Sequence, residues 1–253
     1  LTGWIETLAR ANGYVCQATS VAGVAQRTGA TVYYVEMAPA AGRIPVFNLM
    51  PAAGDVDVMI TAEMMEAGRS IIRGFVTPDR TTLITSTHRA LAVSEKMVPG
   101  DGIASSEEVI AAAEVAARRF IAADFDAVAV KNGSVISATL FGALAASGAL
   151  PFAREAFEAA IRAGGKGVDA SVRAFGAGYE AALTGVPEAA VPVAKVAAVT
   201  GPARKLAEWE RLMARVQALP AAVAELAAPG LRKVVDFQDL AYGAEYLGRI
   251  EGL

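Results

Sequence analysis

A strand–helix–strand run between residues 55 and 86 constrains the fold of this chain more than any other feature. The apolar segment 55–61, DVDVMIT, is followed by an amphipathic stretch over 62–73, which Gly74 ends, and then by TTLITS at 81–86. Two strands joined by a helix pair in parallel, through a right-handed crossover, in nearly all cases. The run therefore predicts a parallel sheet covered by helices.

The flanking segments extend this pattern over most of the chain. Further strands are predicted at 14–18, at 30–37 and within 120–133, where a turn is expected to follow the strand. Ser105 and Glu108 form the capping box of a predicted helix over 106–118. Apolar spacing predicts the other helices, at 2–11, 134–147, 152–163, 168–182, 203–218 and 237–250.

These elements predict an α/β fold with two parts. The first, over 1–183, is a Rossmann-like, mostly parallel sheet flanked by helices. The second begins where the composition shifts to a Pro- and Ala-rich stretch near residue 184, and it is expected to be a mainly helical extension over 184–253.

The chain contains one cysteine, Cys16, and one histidine, His88, in 253 residues. A single thiol forms no internal disulfide and indicates a reducing compartment. Iron–sulfur clusters take about four thiolates, and zinc sites take several Cys or His ligands. We therefore expect no metal site in this chain, and we expect any redox metal to lie in a partner.

Charge and hydropathy argue against two other classes of partner. The net charge of −3, without a clustered basic run, disfavours nucleic acid. The uncharged stretch 132–153 is long enough to span a bilayer, but its Asn, Ser, Gly and Pro residues favour a buried helix. The N-terminal segment lacks the basic start and cleavage site of a signal peptide. A cytoplasmic protein is expected.

The polar segment 19–29 lies between two predicted strands and is expected to be a loop. Open α/β sheets bind ligands in loops at strand ends. Arg27 could hold a phosphate or carboxylate through two parallel hydrogen bonds, with neutral donors beside it. A solvated surface loop explains the same residues, and spacing alone favours that simpler interpretation. The candidate residues are Ser20, Gln26, Arg27, Thr28 and Gly29.

His88 follows the predicted strand 81–86 and stands beside Arg89. A histidine at the carboxyl end of a strand could act as a general acid or base, or contact a phosphate. A hydrogen-bonded structural histidine is the simpler interpretation, because no second histidine is present and Cys16 is distant in sequence.

Asn132 and Ser134 precede the predicted helix 134–147, and either could cap it beside N–H groups that bind anions. Capping alone explains both residues. The glycines of AGGKG at 163–167 lack P-loop spacing, and no G-x-G-x-x-G follows a predicted strand. The residues by themselves therefore support no nucleotide site.

The segment 19–37, TSVAGVAQRTGATVYYVEM, resembles the gamma-type domain of the 2-oxoacid:ferredoxin oxidoreductase family. Members have a Ser-x-x-x-G-x-A-Q-R-x-G pattern before a strand. Gly23, Ala25, Gln26, Arg27 and Gly29 match it here, and Ser20 lies one position nearer to Gly23 than the pattern has its serine. Ala22 and Thr28 depart from the residues often found in members, which weakens the transfer of a role to them. Similarity continues over 54–69, 134–161 and 164–175.

Two more segments, 82–89 and 231–250, resemble the beta subunits of indolepyruvate oxidoreductases, a branch of the same family. In that family the domain begins with a strand and a glycine-rich turn before the first helix. The resemblance thus implies a segment before Leu1, and a continuation after Leu253.

The resemblance implies a reaction shared between two subunits. Indolepyruvate or another aryl pyruvate would be decarboxylated on thiamine diphosphate, with ferredoxin accepting electrons through [4Fe-4S] clusters and coenzyme A accepting the acyl group. A larger alpha subunit would hold the thiamine and the clusters, and this chain would be inactive without it. Candidate contacts to coenzyme A or to the surroundings of the cofactor are Ser20, Gln26, Arg27, Thr28, Gly29, His88 and Asn132. No catalytic residue is assigned.

Two alternatives stay open from the sequence. A stand-alone Rossmann oxidoreductase would need a glycine fingerprint upstream and an acidic residue after the second strand. A non-catalytic scaffold would use the 20–29 segment for packing alone. A complete upstream sequence would separate the first alternative, and the second is separated by whether substitutions in the loop affect turnover or assembly.

Overall fold

The computed structural model describes residues 1–21, 31–42, 45–91, 95, 103–165, 167–184 and 199–252. The chain divides into two compact units, Leu1–Val191 and Pro192–Leu253. In chain order, the elements of the first unit are α1 (Thr2–Ala11), β1 (Tyr14–Val21), β2 (Val32–Pro39), β3 (Val58–Thr61), α2 (Met64–Ile72), β4 (Thr82–Ser86), α3 (Ser106–Ala116), β5 (Arg119–Ala123), α4 (Phe125–Lys131), α5 (Ile136–Ser147), α6 (Arg154–Arg162) and α7 (Val168–Thr184).

Strands β3, β4 and β5 form a parallel sheet with β4 in the centre. Thr82 pairs with Val58 on one side and with Arg119 on the other. Successive side chains of β4 face opposite layers, because a strand alternates its side chains between the two faces. Leu83 packs with α2 and α3, whereas Ile84 packs with the helices on the other face. The predicted α/β fold, with a parallel sheet between helices, is confirmed.

The larger core of the first unit lies between the sheet and helices α5, α6 and α7. Each helix contributes one phenylalanine that is at most 1% exposed, and the ring centroids lie 5.0 to 6.3 Å apart. These residues are Phe141, Phe157 and Phe175. Eight of the twelve residues of α5 are buried, so the uncharged stretch 132–153 supplies a core helix, as expected.

Helices α5 and α7 cross at two glycines. A Cβ atom on Gly142 would lie 2.1 Å from the carbonyl oxygen of Phe175, and one on Gly178 would lie 2.3 Å from that of Thr139. Carbon atoms do not approach backbone oxygens this closely, so any side chain at either position would push the helices apart. The two glycines therefore permit direct backbone contact.

The opposite face of the sheet is covered by α2 and α3. Their apolar contacts with the sheet form a second core cluster of Ala67, Val76, Leu83, Ala113 and Ala117. The Ser105 hydroxyl accepts a hydrogen bond from the Glu108 backbone N–H at 3.2 Å, which confirms the predicted start of α3.

Strands β1 and β2 form a separate antiparallel hairpin in the first unit. Pairing runs from Tyr14 with Pro39 to Val21 with Val32. The loop predicted over 19–29 is therefore wrong at its start, because 19–21 continue β1. The β-branched pair Thr19 and Val21 extends the strand beyond the predicted end at residue 18. Residues 22–30 lie outside the described part of the chain.

The strand and turn predicted within 120–133 are both present, with the turn at 132–133, but the sequence reading missed α4, which occupies 125–131 between them. The Asp124 carboxylate accepts from the Ala127 backbone N–H at 2.9 Å and caps this helix. Phe125 and Ala129, one helical turn apart, are fully buried. This buried stripe anchors a helix that is only seven residues long.

The second unit contains helices α8 (Ala203–Gln217), α9 (Ala221–Phe237) and α10 (Leu240–Glu251). Its core is built from one apolar stripe per helix: Trp209, Leu212, Val216, Ala227, Leu231 and Leu247. The helices predicted at 203–218 and 237–250 correspond to α8 and α10. Sequence reading missed α9, because Pro229 lies inside it.

Over the described residues, no single helix is long and apolar enough to cross a membrane. Helices α4 and α5 reach that length and composition only as a pair, and the pair is bent by 118°.

Candidate functional site

The carboxyl ends of β3, β4 and β5 bring polar residues to one end of the parallel sheet, which is called the carboxyl edge below. Ligands in open α/β sheets bind in the crevice outside this edge. Glu63 follows β3, His88 follows β4 and Asp126 follows β5. Three neighbouring strands thus deliver a carboxylate, an imidazole and a second carboxylate to the same side of the molecule.

His88 lies at this edge, as predicted, and its backbone is held in place. Its carbonyl accepts from the Met64 backbone N–H at 3.1 Å, and its own N–H donates to the Ser86 hydroxyl at 3.4 Å. The imidazole is 41% exposed, and its Nδ1 lies 3.8 Å from Oδ2 of Asp126, which is 39% exposed. The edge therefore presents an accessible imidazole with a carboxylate beside it.

Asp126 was not found by sequence reading. It occupies the first turn of α4, where a carboxylate also interacts favourably with the helix dipole. The signal that could have found it is the Asp124-Phe-Asp126 start of this helix, because an Asp before an apolar stripe is a common N-cap. Because the sequence reading missed this helix, it also missed Asp126.

Glu63 caps α2 from the same edge. Its Oε1 accepts from the Glu66 backbone N–H at 2.9 Å. Its Oε2 is buried and has no hydrogen-bond partner among the described residues. A buried acceptor without a donor costs free energy, so this oxygen is suited to meet a donor from a bound group.

Arg89, the neighbour of His88 in sequence, is engaged elsewhere. Its guanidinium donates to the Ala104 carbonyl at 2.8 Å and to the Ser106 hydroxyl at 3.0 Å, and it also pairs with Glu95. The side chain is 18% exposed. Arg89 thus ties the segment after β4 to the start of α3, and its charge is matched by a carboxylate.

Asn132 does not cap α5, contrary to prediction. It ends α4, and its side-chain amide donates to the Val128 carbonyl at 2.8 Å. Helix α5 begins after Val135, whose side chain has no hydrogen-bonding group. Ser134 does not cap it either, because no described side chain makes a capping hydrogen bond at the start of α5; its backbone N–H donates to the Ala129 carbonyl at 3.0 Å. Asn132 therefore lies at the carbonyl end of a helix, which does not attract an anion.

The 20–29 segment is placed only at its first two residues, which end β1. Ser20 is exposed and pairs with Tyr33 across the hairpin. Gln26, Arg27, Thr28 and Gly29 lie outside the described residues. The prediction that this segment contacts a cofactor stays a prediction, but its setting is corrected: it connects two antiparallel strands and does not follow a strand of the parallel sheet.

A cleft of about 1280 Å³ lies in the first unit beside β3. Its walls include most of β2, the whole of β3 and the apolar side of α5. Tyr34 donates to Glu36 inside it. Burial, followed by this hydrogen bond, raises the pKa of Tyr34 to about 12. Glu63 also lines the cleft, so the cleft reaches the carboxyl edge of the sheet.

Among the described residues, no group of three or more His, Cys, Asp or Glu side chains is placed to hold a metal ion. His88 and the two carboxylates of the carboxyl edge can donate and accept hydrogen bonds and can transfer protons.

Residues 1–181 match the sequence profile of a known family, described as pyruvate ferredoxin/flavodoxin oxidoreductase. The chain belongs to this family. The match covers β1 to β5 and α1 to α6, and therefore includes all three residues of the carboxyl edge. A search of curated proteins finds no match.

Membership of the pyruvate ferredoxin/flavodoxin oxidoreductase family makes this chain part of a 2-oxoacid:ferredoxin oxidoreductase. Enzymes of this type are assembled from several subunits. The matched segment ends inside α7, so the second unit lies outside the family match.

Proposed function

We propose that this chain is the beta-type subunit of an indolepyruvate:ferredoxin oxidoreductase and that it works only with a larger alpha subunit. The family match over 1–181 carries the proposal. The similarity of 82–89 and 231–250 to indolepyruvate enzymes supports an aryl pyruvate as substrate. In this reaction, thiamine diphosphate supplies decarboxylation, [4Fe-4S] clusters carry electrons to ferredoxin, and coenzyme A accepts the acyl group.

The residues of this chain do not fit an iron–sulfur cluster. Cys16 is the one cysteine in the sequence, whereas a cluster takes about four thiolates. Burial, and then the nearby Glu6 carboxylate, raise the pKa of the Cys16 thiol. This disfavours the thiolate form that binds metals. We therefore assign the clusters, and the thiamine diphosphate with its metal, to the alpha subunit.

In this proposal the chain contributes contacts to coenzyme A and shapes the surroundings of the active site. The 20–29 segment and His88 face the alpha subunit. Arg27 binds a phosphate of coenzyme A through two parallel hydrogen bonds, which lysine cannot reproduce. Arg27→Ala should therefore raise the KM for coenzyme A, and Arg27→Lys should restore it only in part. An unchanged coenzyme A requirement in Arg27→Ala would remove this contact from the proposal.

The complete proposal is tested by viologen reduction in the anaerobically co-purified complex. Indolepyruvate, pyruvate and a branched-chain 2-oxoacid are compared, each with and without coenzyme A. We expect coenzyme A-dependent reduction with indolepyruvate, lost when this chain is omitted. Full activity from the alpha subunit alone would indicate a scaffold. Preference for pyruvate or a branched-chain acid would keep the family and overturn the aryl substrate.

A further inference from the structure

The register of the parallel sheet brings His88 and Asp126 together. Ser86 at the end of β4 pairs with Ala123 at the end of β5. The Thr87 backbone N–H then donates to the Ala123 carbonyl at 2.9 Å, which continues the pairing beyond the strands. Residues that follow these two ends must emerge side by side. The neighbouring positions of His88 and Asp126 are thus fixed by backbone pairing.

The distance between the two side chains is longer than a hydrogen bond, but it is short enough for small rotations to close it. Nδ1 of His88 lies 3.8 Å from Oδ2 of Asp126, so a hydrogen bond of about 2.8 Å requires a movement of roughly 1 Å. Both side chains are partly exposed and have room to rotate. Catalytic hydrogen bonds are often long in a free enzyme and shorten in the complex.

The other charged groups described at this edge have partners elsewhere, except for one buried Glu63 oxygen. The Arg89 guanidinium is held by Glu95, the Ala104 carbonyl and Ser106. One Glu63 oxygen caps α2. Asp126 is the carboxylate that forms an ion-pair contact with the imidazole. A carboxylate beside Nδ1 favours the tautomer of His88 that carries its proton on Nδ1. In this tautomer Nε2, on the far side of the ring, has a free lone pair that can accept a proton.

We propose that Asp126 is the positioning residue for His88, and that His88 Nε2 accepts the proton of the coenzyme A thiol. The S–H bond breaks, an N–H bond forms at Nε2, and Asp126 stabilises the resulting imidazolium. The ligand class rests on the proposed function; the His88–Asp126 pairing does not, because it follows from the fold.

The pairing is tested on the full chain, since His88 is its one histidine. Long-range ¹H–¹⁵N correlation spectra, recorded where the ring is neutral, report which nitrogen carries the proton. We expect the Nδ1–H tautomer in the wild type and a shift to Nε2–H in Asp126→Ala. The matched control is Asp169→Ala, which removes a first-turn carboxylate from α7. A wild-type spectrum of the Nε2–H form, or one unchanged by Asp126→Ala, overturns the pairing.

The role in the reaction is tested in the complex with the alpha subunit. His88→Gln should lower coenzyme A-dependent turnover by about 10²- to 10⁴-fold, the range for a lost general base. Asp126→Ala should lower it less, and the double variant should match His88→Gln alone, because the two residues act as a unit. Electron release before coenzyme A enters should fall less than the coenzyme A-dependent turnover in all three. Equal losses with and without coenzyme A overturn the proton-acceptor role. A wild-type complex that oxidises no 2-oxoacid overturns the proposed function and leaves the tautomer result standing.

Discussion

The contact between α5 and α7 predicts that one methyl group at Gly178 strongly destabilises the first unit. A Cβ atom there would lie 2.3 Å from the Thr139 carbonyl oxygen and 2.5 Å from the Thr139 Cα. Ordinary contacts between carbon atoms are about 3.5–4.0 Å, so the helices would have to separate by roughly 1 Å. The obstacle is backbone, which cannot rotate away as a side chain can.

The magnitude follows from two opposing effects. Overpacking of a core costs about 1–3 kcal/mol, and occasionally more. Alanine in place of glycine inside a helix contributes about 1 kcal/mol in the other direction. Because the clash involves three backbone atoms of Thr139, we expect the upper part of the range, and a net loss of about 2 kcal/mol for Gly178→Ala.

Gly176 offers a matched control two residues away in the same helix. The nearest atom to a Cβ there is an Arg154 guanidinium nitrogen at 3.5 Å, at the end of a flexible side chain. Gly176→Ala should therefore stabilise the first unit by about 0.5–1 kcal/mol. The two variants should differ by roughly 3 kcal/mol, or about 1.5 M in the urea midpoint.

Urea unfolding followed by the fluorescence of Trp4 measures this difference. Trp4 packs 5.6 Å from the Phe141 ring, centroid to centroid, and so reports on the first unit. The other tryptophan, Trp209, belongs to the second unit, and a Trp209→Phe background removes its signal. Equal midpoints for Gly176→Ala and Gly178→Ala would refute the close helix contact.

Three further predictions concern a cap, a tyrosine and a buried hydroxyl pair. Ser105→Ala removes the acceptor of the Glu108 N–H and should cost about 1 kcal/mol, seen as a lower urea midpoint; no shift would mean that the cap contributes nothing. The folded-state pKa of Tyr34 is raised from 10.0 to about 12. The protonated Tyr34 hydroxyl therefore contributes to stability below pH 10, and this contribution is lost towards pH 12. The difference in the free energy of unfolding between wild type and Tyr34→Phe should fall over that window, and a constant difference would contradict the shift. The Thr61 hydroxyl donates to the Thr85 hydroxyl at 2.6 Å in the core. Thr85→Val should therefore cost about 1–3 kcal/mol, because it leaves the Thr61 hydroxyl unpaired. Adding Thr61→Val should recover part of this loss, measured as a partial return of the thermal unfolding midpoint.

Local signals in the sequence predicted much of the fold. The strand–helix–strand run at 55–86 identified β3, α2 and β4, because the spacing of apolar residues and a glycine that ends a helix both depend only on residues close together in the sequence. The Ser105 cap placed α3 for the same reason. Helix α9 was missed because Pro229 usually ends a helix. The helix continues past it because Ala227 and Leu231 are buried on the same side of the second unit, and packing outweighs the local signal.

The carboxyl edge shows why a site is harder to predict than the elements that carry it. His88 could be placed at the end of a strand from its local sequence, because the strand and its end are both visible there. Its partner Asp126 could not, because the two residues meet only through the pairing of Ser86 with Ala123. A shift of the register between β4 and β5 by two residues would keep every side chain on its own face of the sheet, but it would move Asp126 by about 7 Å along the strand direction. Hydrophobic patterning therefore does not fix this pairing. The pairing is fixed by the backbone hydrogen bond that continues past the strands, from the Thr87 N–H to the Ala123 carbonyl, and a change of register between β4 and β5 would have to break it.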